Sequence, residues 1–443
     1  MLQAGFSRID ITPPLGTYMQ GYYSARRADG ILDPLTASCI AFRDGEGNAA
    51  LVFSLDLIGI EQKEADVARK TISDIAGVPA DAVFLACTHT HTGPCMSTKL
   101  FPHNPVYNGY CFARLGSCGR AALDDLAPAS LLTASGRAEG ISFIRRFRMD
   151  DGTIRTNPGW KNARVRTPIG TPDETLRLVR IVREGRPEIV IVNFQVHPDV
   201  IGGTKWSADF PGFVRKTVEG ALPGVHAVYF NGAQGDTNHI DISRSPADAD
   251  AKTFPVSGYA HSRYMGQVIA AGALAVYGTA QPLEGPDRVT FAVRDLETPA
   301  NLPDPGQVPR ARELVALHEA GRDDLIPETG MGVTTLVAEA YKMVRLAEAG
   351  DTLKLHMSAV TAGNLAFAGF PGEPFTDIGR GVRDASPYPV TLACCLTNGS
   401  EGYLPMYPAF AEGGYEARSS AFCPGVAEEL VAGQAKLLRE LHG

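Results

Sequence analysis

The sequence predicts an α/β protein with a large mixed, mainly parallel sheet core, flanking helices, a helical excursion and a metal site at strand ends. Three observations support this prediction. Short apolar runs typical of strands alternate with helical patterns, several of these runs end at a histidine or an acidic residue, and the composition is globular. With 44% hydrophobic and 20% charged residues, the 443-residue chain is neither disordered nor fibrous.

The first strand–helix–strand unit lies near the N-terminus. Residues 49–56 (AALVFSLD) predict a buried strand that ends in a carboxylate, residues 61–75 have helical composition, and residues 82–87 (AVFLAC) predict a second buried strand. A helix between two buried strands within about forty residues is typical of a crossover connection, which joins parallel strands.

A second unit of the same kind lies in the middle of the chain. Strands are predicted at residues 188–194 (EIVIVNF) and 225–230, with a helix at residues 211–219 between them. The second strand leads into a loop of small and polar residues at 231–238 (NGAQGDTN). Polar loops at strand ends are common places for binding and catalytic groups.

Residues 297–352 differ in composition, because prolines at their start are followed by helix formers. We expect a helical insertion or cap within a single catalytic domain that spans residues 1–443. Strands that complete the same core are predicted after it, at residues 353–360, 364–370 and 390–396. A final helix is predicted at residues 427–441.

Charge and cysteine usage restrict the partners and the compartment. The chain has 41 basic and 49 acidic residues, and this acidic excess argues against a nucleic-acid binder or a ligand of anionic membranes. The expected partner is a small-molecule substrate, and homo-oligomerisation is left open. No C-x-x-C pair occurs, the N-terminus lacks a signal-peptide pattern, and residues 264–280 favour a small-residue buried helix over a membrane span. We therefore expect a cytoplasmic protein.

The strongest chemical signal is the run 87–94 (CTHTHTGP) after a buried strand. His89 and His91 are two residues apart and point to one face if the strand geometry persists. A metal site fits this pattern, and so does a pair of hydrogen-bonded loop histidines. His197 also follows an apolar strand, and Glu373 lies in a Pro-Gly turn after another. Together, strand ends that present His, His and Glu form the usual ligand set of a catalytic zinc with an open position.

These motifs, with others in the same order, give the chain a resemblance to the catalytic domain of neutral/alkaline (non-lysosomal) ceramidases. The resemblance covers nearly the whole chain. The matching segments are 4–14 (AGFSRIDITPP), 30–35 (GILDPL), 54–60 (SLDLIGI), 88–94 (THTHTGP), 196–198 (VHP), 207–212 (SADFPG), 235–236 (GD), 371–373 (PGE) and 402–405 (GYLP).

The resemblance implies a zinc hydrolase with one Zn²⁺ per chain that cleaves an amide bond. Its implied zinc ligands are His89, His197, Glu373 and Tyr403. Tyr407 and Tyr415 lie close enough in sequence to compete with Tyr403.

The resemblance also implies roles around the metal. His91 would be a proton donor, a proton acceptor or a substrate contact. Arg145 would be the substrate-binding arginine, with Arg146 as the alternative.

The chain departs from the ceramidase pattern at the catalytic serine, which would stand three residues after Gly235. Asn238 occupies this position, with Thr237 beside it. We therefore expect attack by zinc-bound water, with Asn238 or Thr237 donating a hydrogen bond to the developing oxyanion. Acidic residues that could orient the ligand imidazoles, or that could be ordinary strand-end or helix-cap carboxylates, are Asp56, Asp209 and Asp236. For Asp209, capping is the favoured role.

A second departure is the expected lack of the signal and of the C-terminal β-sandwich that secreted, lipid-cleaving ceramidases carry. This favours a small polar substrate over membrane ceramide. The predicted function is zinc-dependent hydrolysis of an amide. The alternatives are ester or lactone hydrolysis at the same site, a ceramidase proper, and a catalytically silent metal-binding homologue.

Overall fold

A computed structural model describes residues 1–97, 100–248 and 255–443 of the chain. The strands in these ranges are β1 (Gln3–Asp10), β2 (Tyr18–Met19), β3 (Arg26–Arg27), β4 (Gly30–Ile31), β5 (Thr36–Arg43), β6 (Ala49–Leu55), β7 (Val83–Cys87), β8 (Ala127–Arg137), β9 (Phe143–Ile144), β10 (Arg146–Met149), β11 (Ile154–Thr156), β12 (Val165–Pro168), β13 (Thr175–Arg183), β14 (Glu188–Phe194), β15 (Lys205–Trp206), β16 (Val225–Asn231), β17 (Thr237–Asn238), β18 (Gln281–Pro282), β19 (Val289–Pro299), β20 (Thr352–Ala362), β21 (Leu365–Gly369), β22 (Glu373–Pro374), β23 (Val390–Cys394) and β24 (Tyr403–Leu404). The α-helices are α1 (Gln62–Ala76), α2 (Pro105–Asp124), α3 (Asp209–Ala221), α4 (Gly258–Tyr277), α5 (Val308–Glu319), α6 (Met331–Leu346), α7 (Thr376–Ala385), α8 (Tyr407–Glu412), α9 (Tyr415–Ser419) and α10 (Val426–His442).

The largest sheet has the strand order β16-β14-β13-β8-β1-β5-β6-β7, with β18 beside β8. The mixed α/β class is confirmed, and both crossover units form the parallel pairs expected of them, β6–β7 and β14–β16. The other pairs in this sheet are antiparallel, so the prediction of a mainly parallel sheet is wrong. The physical reason is the short turns at residues 44–48 and 184–187, because such turns can join only antiparallel neighbours.

A second sheet, with the order β19-β20-β21-β23, packs against the first through a shared apolar core. Phe367 of β21 lies in this core, and its ring centroid is 5.5 Å from that of Phe230 in β16. Phe42 of β5 and Phe84 of β7 contact the same ring at 6.1 and 6.0 Å. The strands predicted in the C-terminal third therefore complete the core of the first sheet.

Helices cover the outer faces of both sheets. Helices α1 and α2 pack against β7, β1 and β5, helices α3 and α4 against β16, β8 and β13, and helices α7 and α10 against the second sheet. Residues 297–352 contain α5 and α6, which lie between β19 and β20 in the chain. Among the helices of the described ranges, none combines the length and the apolar character that a membrane crossing requires.

The first sheet curls so that the two ends of its strand order meet. The Ser54 hydroxyl, near the end of β6, donates a hydrogen bond of 2.5 Å to the carbonyl of Tyr229 in β16. The side-chain amide of Asn231, at the end of β16, donates one of 3.2 Å to the carbonyl of Thr88, just after β7. Strand twist accumulates over a large sheet and makes such closure accessible. The loops that follow β7 and β14 therefore face one region.

Candidate metal centre

His89 is fixed by the loop that follows β7. Its backbone has a φ of 75°, in the left-handed region, which turns the chain sharply after the strand. Its ring Nδ1 lies 2.6 Å from the carbonyl oxygen of Ile58, and because a carbonyl can only accept, this nitrogen carries the proton. In the neutral imidazole the lone pair is then on Nε2, which is the arrangement found in metal-bound histidines.

Three imidazole nitrogens converge at this point. The Nε2 atom of His197 is 3.1 Å from that of His89 and 3.0 Å from that of His91, and the Nε2 atoms of His89 and His91 are 3.3 Å apart. Ligand atoms arranged tetrahedrally about 2.0–2.1 Å from a zinc ion lie about 3.3 Å from one another. The observed spacing therefore fits one shared cation, and within the described residues these histidines form the group able to hold a metal.

Glu373 adds a carboxylate to the cluster. Its Oε2 atom is 3.3 Å from Nε2 of His89 and 3.8 Å from Nδ1 of His197. The residue is buried, and this oxygen has no hydrogen-bond partner in the described part of the chain. A buried carboxylate oxygen left unpaired costs free energy, and a cation bound beside it would compensate that cost. The donor set therefore fits Zn²⁺.

The charge states of these residues also suit a metal. Burial lowers the pKa of His91 to about 3, and the adjacent His89 adds to the shift. Burial likewise lowers the pKa of His197 well below its ordinary value, with Arg145 as the next cause. Burial alone raises the pKa of Glu373, but His89 and Arg145 outweigh it and the pKa is lowered. His91 and His197 are thus neutral donors beside an ionised carboxylate.

The main chain around Glu373 holds its position. The Glu373 amide donates to the carbonyl of Gly402 at 2.9 Å, and the Gly235 amide donates to the carbonyl of Pro374 at 2.7 Å. A Cβ atom at position 235 would stand 2.4 Å from the carbonyl oxygen of Glu373, so only glycine allows this approach.

Tyr403 lies beside Glu373, since the two residues are register partners of the parallel pair β22–β24. Burial raises the pKa of Tyr403 well above its ordinary value, and the positive charge of Arg145 offsets only part of this shift. The Cζ atom of Arg145 lies 5.1 Å from the centroid of the Tyr403 ring. The ring of Tyr415 stands edge-on to that of Tyr403 at 5.3 Å, whereas Tyr407 is 62% exposed. The structure therefore brings Tyr403 and Tyr415 to the site and leaves Tyr407 at the surface.

Arg145 is buried and bound within the protein. Its Nε atom is 2.7 Å from Oε1 of Glu416, and its Nη2 atom donates to the carbonyl of Gly235 at 2.6 Å. Arg146, the alternative in the sequence, points to Glu412 with an Nη2–Oε2 distance of 3.1 Å. Arg145 is therefore the one of this pair that contacts Tyr403.

Thr237 and Asn238 are held in the strand pair β17–β9. The Thr237 hydroxyl donates to the carbonyl of Gln234 at 3.3 Å. The Asn238 amide donates to Oδ1 of Asn157 at 2.8 Å, and its oxygen accepts from the amide of Ile240 at 3.0 Å. The Thr237 side chain is thus bound within its own loop, whereas that of Asn238 also joins it to Asn157, just after β11.

The three aspartates considered as orienting groups bind elsewhere. Asp56 pairs with Arg215 at 2.6 Å, and Asp236 accepts from the amide and hydroxyl of Thr376, both at 2.8 Å. Asp209 accepts from the amide of Phe210 in the first turn of α3 and from the amides of residues 200 and 201. The N-cap of α3 is Ala208, and no side chain caps this helix, so Asp209 binds local amides from the first helical position without being the cap.

Sequence reasoning missed Asn231, which joins the two histidine-bearing loops. Its Nδ2 atom donates to the carbonyls of Thr88 and Val196, each at 3.2 Å. These residues immediately precede His89 and His197 in the sequence. The sequence feature that could have identified Asn231 is its position between a predicted strand and a polar loop.

The cluster opens into a cavity of about 530 Å³. His89, His91 and Glu373 form one part of its wall, and Lys342 and Arg345 of α6 form another. The tyrosines that line it are Tyr22, Tyr23, Tyr341, Tyr403 and Tyr415. Ligand sites of small molecules usually have volumes of about 300–1,000 Å³, so a small molecule fits next to the histidines.

Comparisons with known proteins support the fold. No protein-family model matches the sequence, and no curated protein matches it. Among solved structures, the neutral ceramidase from Pseudomonas aeruginosa superposes with a TM-score of 0.71 at 18% identity, over 99% of this chain and 75% of the other. A structure of ceramidase complexed with C2 gives a TM-score of 0.72, with the same identity and coverage. The chain therefore has a neutral ceramidase-like fold.

Proposed function

We propose that the protein is a zinc-dependent hydrolase that cleaves an amide bond of a small polar substrate. The observation that carries this proposal is the convergence of three Nε2 atoms, 3.0–3.3 Å apart, beside the unpaired oxygen of buried Glu373. The cluster faces a cavity of about 530 Å³, and the similar solved structures are ceramidases. The many polar residues of the cavity wall favour a polar substrate.

In this proposal, His89, His197, Glu373 and Tyr403 hold the zinc ion. A bound zinc ion supplies Lewis acidity, polarising the scissile carbonyl and lowering the pKa of water at the site to about 7. The carbonyl oxygen of Ile58, 2.6 Å from Nδ1 of His89, keeps the proton on that nitrogen and leaves Nε2 free to bind the ion.

The Nε2 spacing of His91 also fits the cation, but on the resemblance to ceramidases we assign this residue a different role. Its Nδ1 atom has no hydrogen-bond partner among the described residues, and its ring lines the cavity edge-on to that of Tyr22 at 5.3 Å. A neutral imidazole that faces the substrate space can accept a proton there and return it to the leaving amine. His91 is therefore the proposed proton-transfer group.

Metal analysis tests the site. We expect about one zinc per chain in the wild type purified without chelator, and loss of that zinc in both His89→Ala and Glu373→Ala. His356→Ala is the matched control, because His356 lies in β20, outside the cluster, with its Nδ1 atom 2.6 Å from Oδ1 of Asp295 in β19. A zinc-free wild type, or full zinc in His89→Ala, would contradict the proposal.

Kinetics on the same proteins test the chemistry. A panel of small amides, esters and lactones should show zinc-dependent turnover that chelator removes and zinc restores. His91→Ala should retain zinc while losing about 10²–10⁴-fold in rate, as expected for a lost proton-transfer group. If His91→Ala loses its zinc instead, the residue is a ligand and the proton-transfer role is wrong.

A further inference from the structure

Helix α6 places a buried cation in the wall of the cavity. Lys342 is only 8% exposed, yet it lines the same cavity as His89, His91 and Glu373. A lysine side chain on a helix normally extends its ammonium group into solvent. Lys342 is instead largely covered by the protein, in the wall of the cavity.

The ammonium group of Lys342 has no partner within the protein. Among the described residues, no acceptor lies within hydrogen-bond or ion-pair distance of it. Glu339, one turn earlier in α6, is the nearest acidic influence, but its Oε2 atom is bound by Arg418, with an Nε–Oε2 distance of 3.1 Å. Burial lowers the pKa of Lys342, and the positive charges of Arg418 and Arg345 act in the same direction. A largely buried cation without a partner is destabilised, and because the ammonium nitrogen is not fully enclosed, an anion in the cavity can reach and stabilise it.

A second cation extends this region toward solvent. Arg345 lies three residues later on the same helix, so it faces the same side and also lines the cavity. It is exposed, and no hydrogen bond or ion pair within the described residues engages it. The charges of Arg345 and Glu373 both act on the Tyr23 hydroxyl, so this tyrosine lies between the cations of α6 and the metal cluster in the cavity wall.

The acidic residues of the cavity lie away from α6. Glu373 belongs to the histidine cluster, Glu61 precedes α1, and Glu401 accepts a hydrogen bond of 3.1 Å from the amide of Gln62 at the start of α1. The cavity thus has an electropositive side on α6 and the histidine cluster on a separate part of its wall.

We propose that Lys342, with Arg345 at the cavity mouth, binds a carboxylate group of the substrate. This inference rests on the proposed amide hydrolase function and specifies its substrate class, small amides that carry a carboxylate. A cavity of about 530 Å³ limits such a molecule to modest size. Lys342 is then a specificity-determining residue, since it contacts the substrate away from the scissile bond.

Matched substrate pairs test this inference. One pair is an N-acylated amino acid and the N-acylated alkylamine that lacks its carboxylate, and the other is a succinamate and the corresponding butyramide. We expect the wild type to prefer the carboxylate-bearing member of at least one pair by about 10–100-fold in kcat/KM, the range for a charged hydrogen bond. Lys342→Met should reduce this ratio toward one, Lys342→Arg should retain most of it, and Arg345→Gln should reduce it less.

The control is Lys436→Met, because Lys436 has a 75% exposed side chain on α10 and should leave the ratio unchanged. Equal turnover of the two members of both pairs in the wild type, or an unchanged ratio in Lys342→Met, would overturn the inference while leaving the hydrolase proposal intact. Failure of the zinc-loaded wild type to hydrolyse any amide, ester or lactone would overturn the proposed function itself. If Lys342→Met does not fold, competitive inhibition by free carboxylates is compared between the wild type and Lys342→Gln. Loss of inhibition in Lys342→Gln would support the inference, and unchanged inhibition would overturn it.

Discussion

Replacing Glu416 by alanine removes a buried carboxylate shared by two buried arginines. Glu416 lies in α9 and is fully buried. Its Oε1 atom is 2.7 Å from Nε of Arg145, and its Oε2 atom is 3.8 Å from Nε of Arg146. The Thr156 hydroxyl also donates to Oε2 at 2.7 Å. The substitution therefore leaves positive charge and a hydroxyl donor without their acceptor.

The size of the effect follows from what each arginine retains. Arg146 keeps Glu412 at 3.1 Å and the carbonyl of Gly413 at 2.9 Å, so its charge stays compensated. Arg145 keeps the neutral carbonyl of Gly235 and the neighbouring Tyr403 and Glu373, but no direct ion pair within the described residues. Breaking a buried ion pair costs about 3–5 kcal/mol, and because Glu373 still offsets part of the Arg145 charge, we expect Glu416→Ala to lower the free energy of unfolding by about 3 kcal/mol.

Urea denaturation provides the assay, with Glu412→Ala as the matched control. Glu412 contacts the same Arg146, but its side chain is 25% exposed, so its loss should cost about 1 kcal/mol or less. The free-energy differences come from the shifts in midpoint at a common m value. If the two variants lie within about 1 kcal/mol of each other, the argument from buried charge is wrong.

Three further predictions concern the metal site and pH. Asn231→Ala should weaken zinc binding by about 10–100-fold, measured by chelator competition, because it loosens the two histidine loops. Gly235→Ala should weaken zinc binding at least as much and lower the melting temperature, whereas Gly220→Ala, where a Cβ meets nothing within 4 Å, should leave zinc binding unchanged. Burial acts to raise the pKa of Asp173, but Arg383 and Arg177 outweigh it and hold the pKa below its ordinary value. The resulting stabilisation is present above the unfolded value of about 3.9 and is lost as pH falls toward the folded value, so urea midpoints of Asp173→Asn should converge with those of wild type at low pH. A constant difference between the two proteins from pH 7 downward would contradict this last prediction.

The sequence by itself determined the strands and helices of the two crossover units and the parallel pairing of those strands. Apolar runs such as 82–87 and 188–194 are buried on both faces, and this composition is visible without any tertiary information. The run that contains His89 and His91 also signalled metal chemistry, since both histidines follow a buried strand. The antiparallel majority of the large sheet was missed, because strands such as β8 and β13 expose part of their length and lack continuous apolar runs.

Only the tertiary structure decided which groups meet. His89 and His197 are 108 residues apart in sequence, and their contact depends on the curling of a sheet whose end strands face each other. The same applies to Glu416, which no local pattern distinguishes from a surface glutamate. It also applies to Lys342, because its position in the helical pattern does not distinguish a solvent-facing lysine from one that lines a cavity. Sequence patterns report the solvent exposure of single elements, whereas the pairing of buried charges depends on how those elements pack.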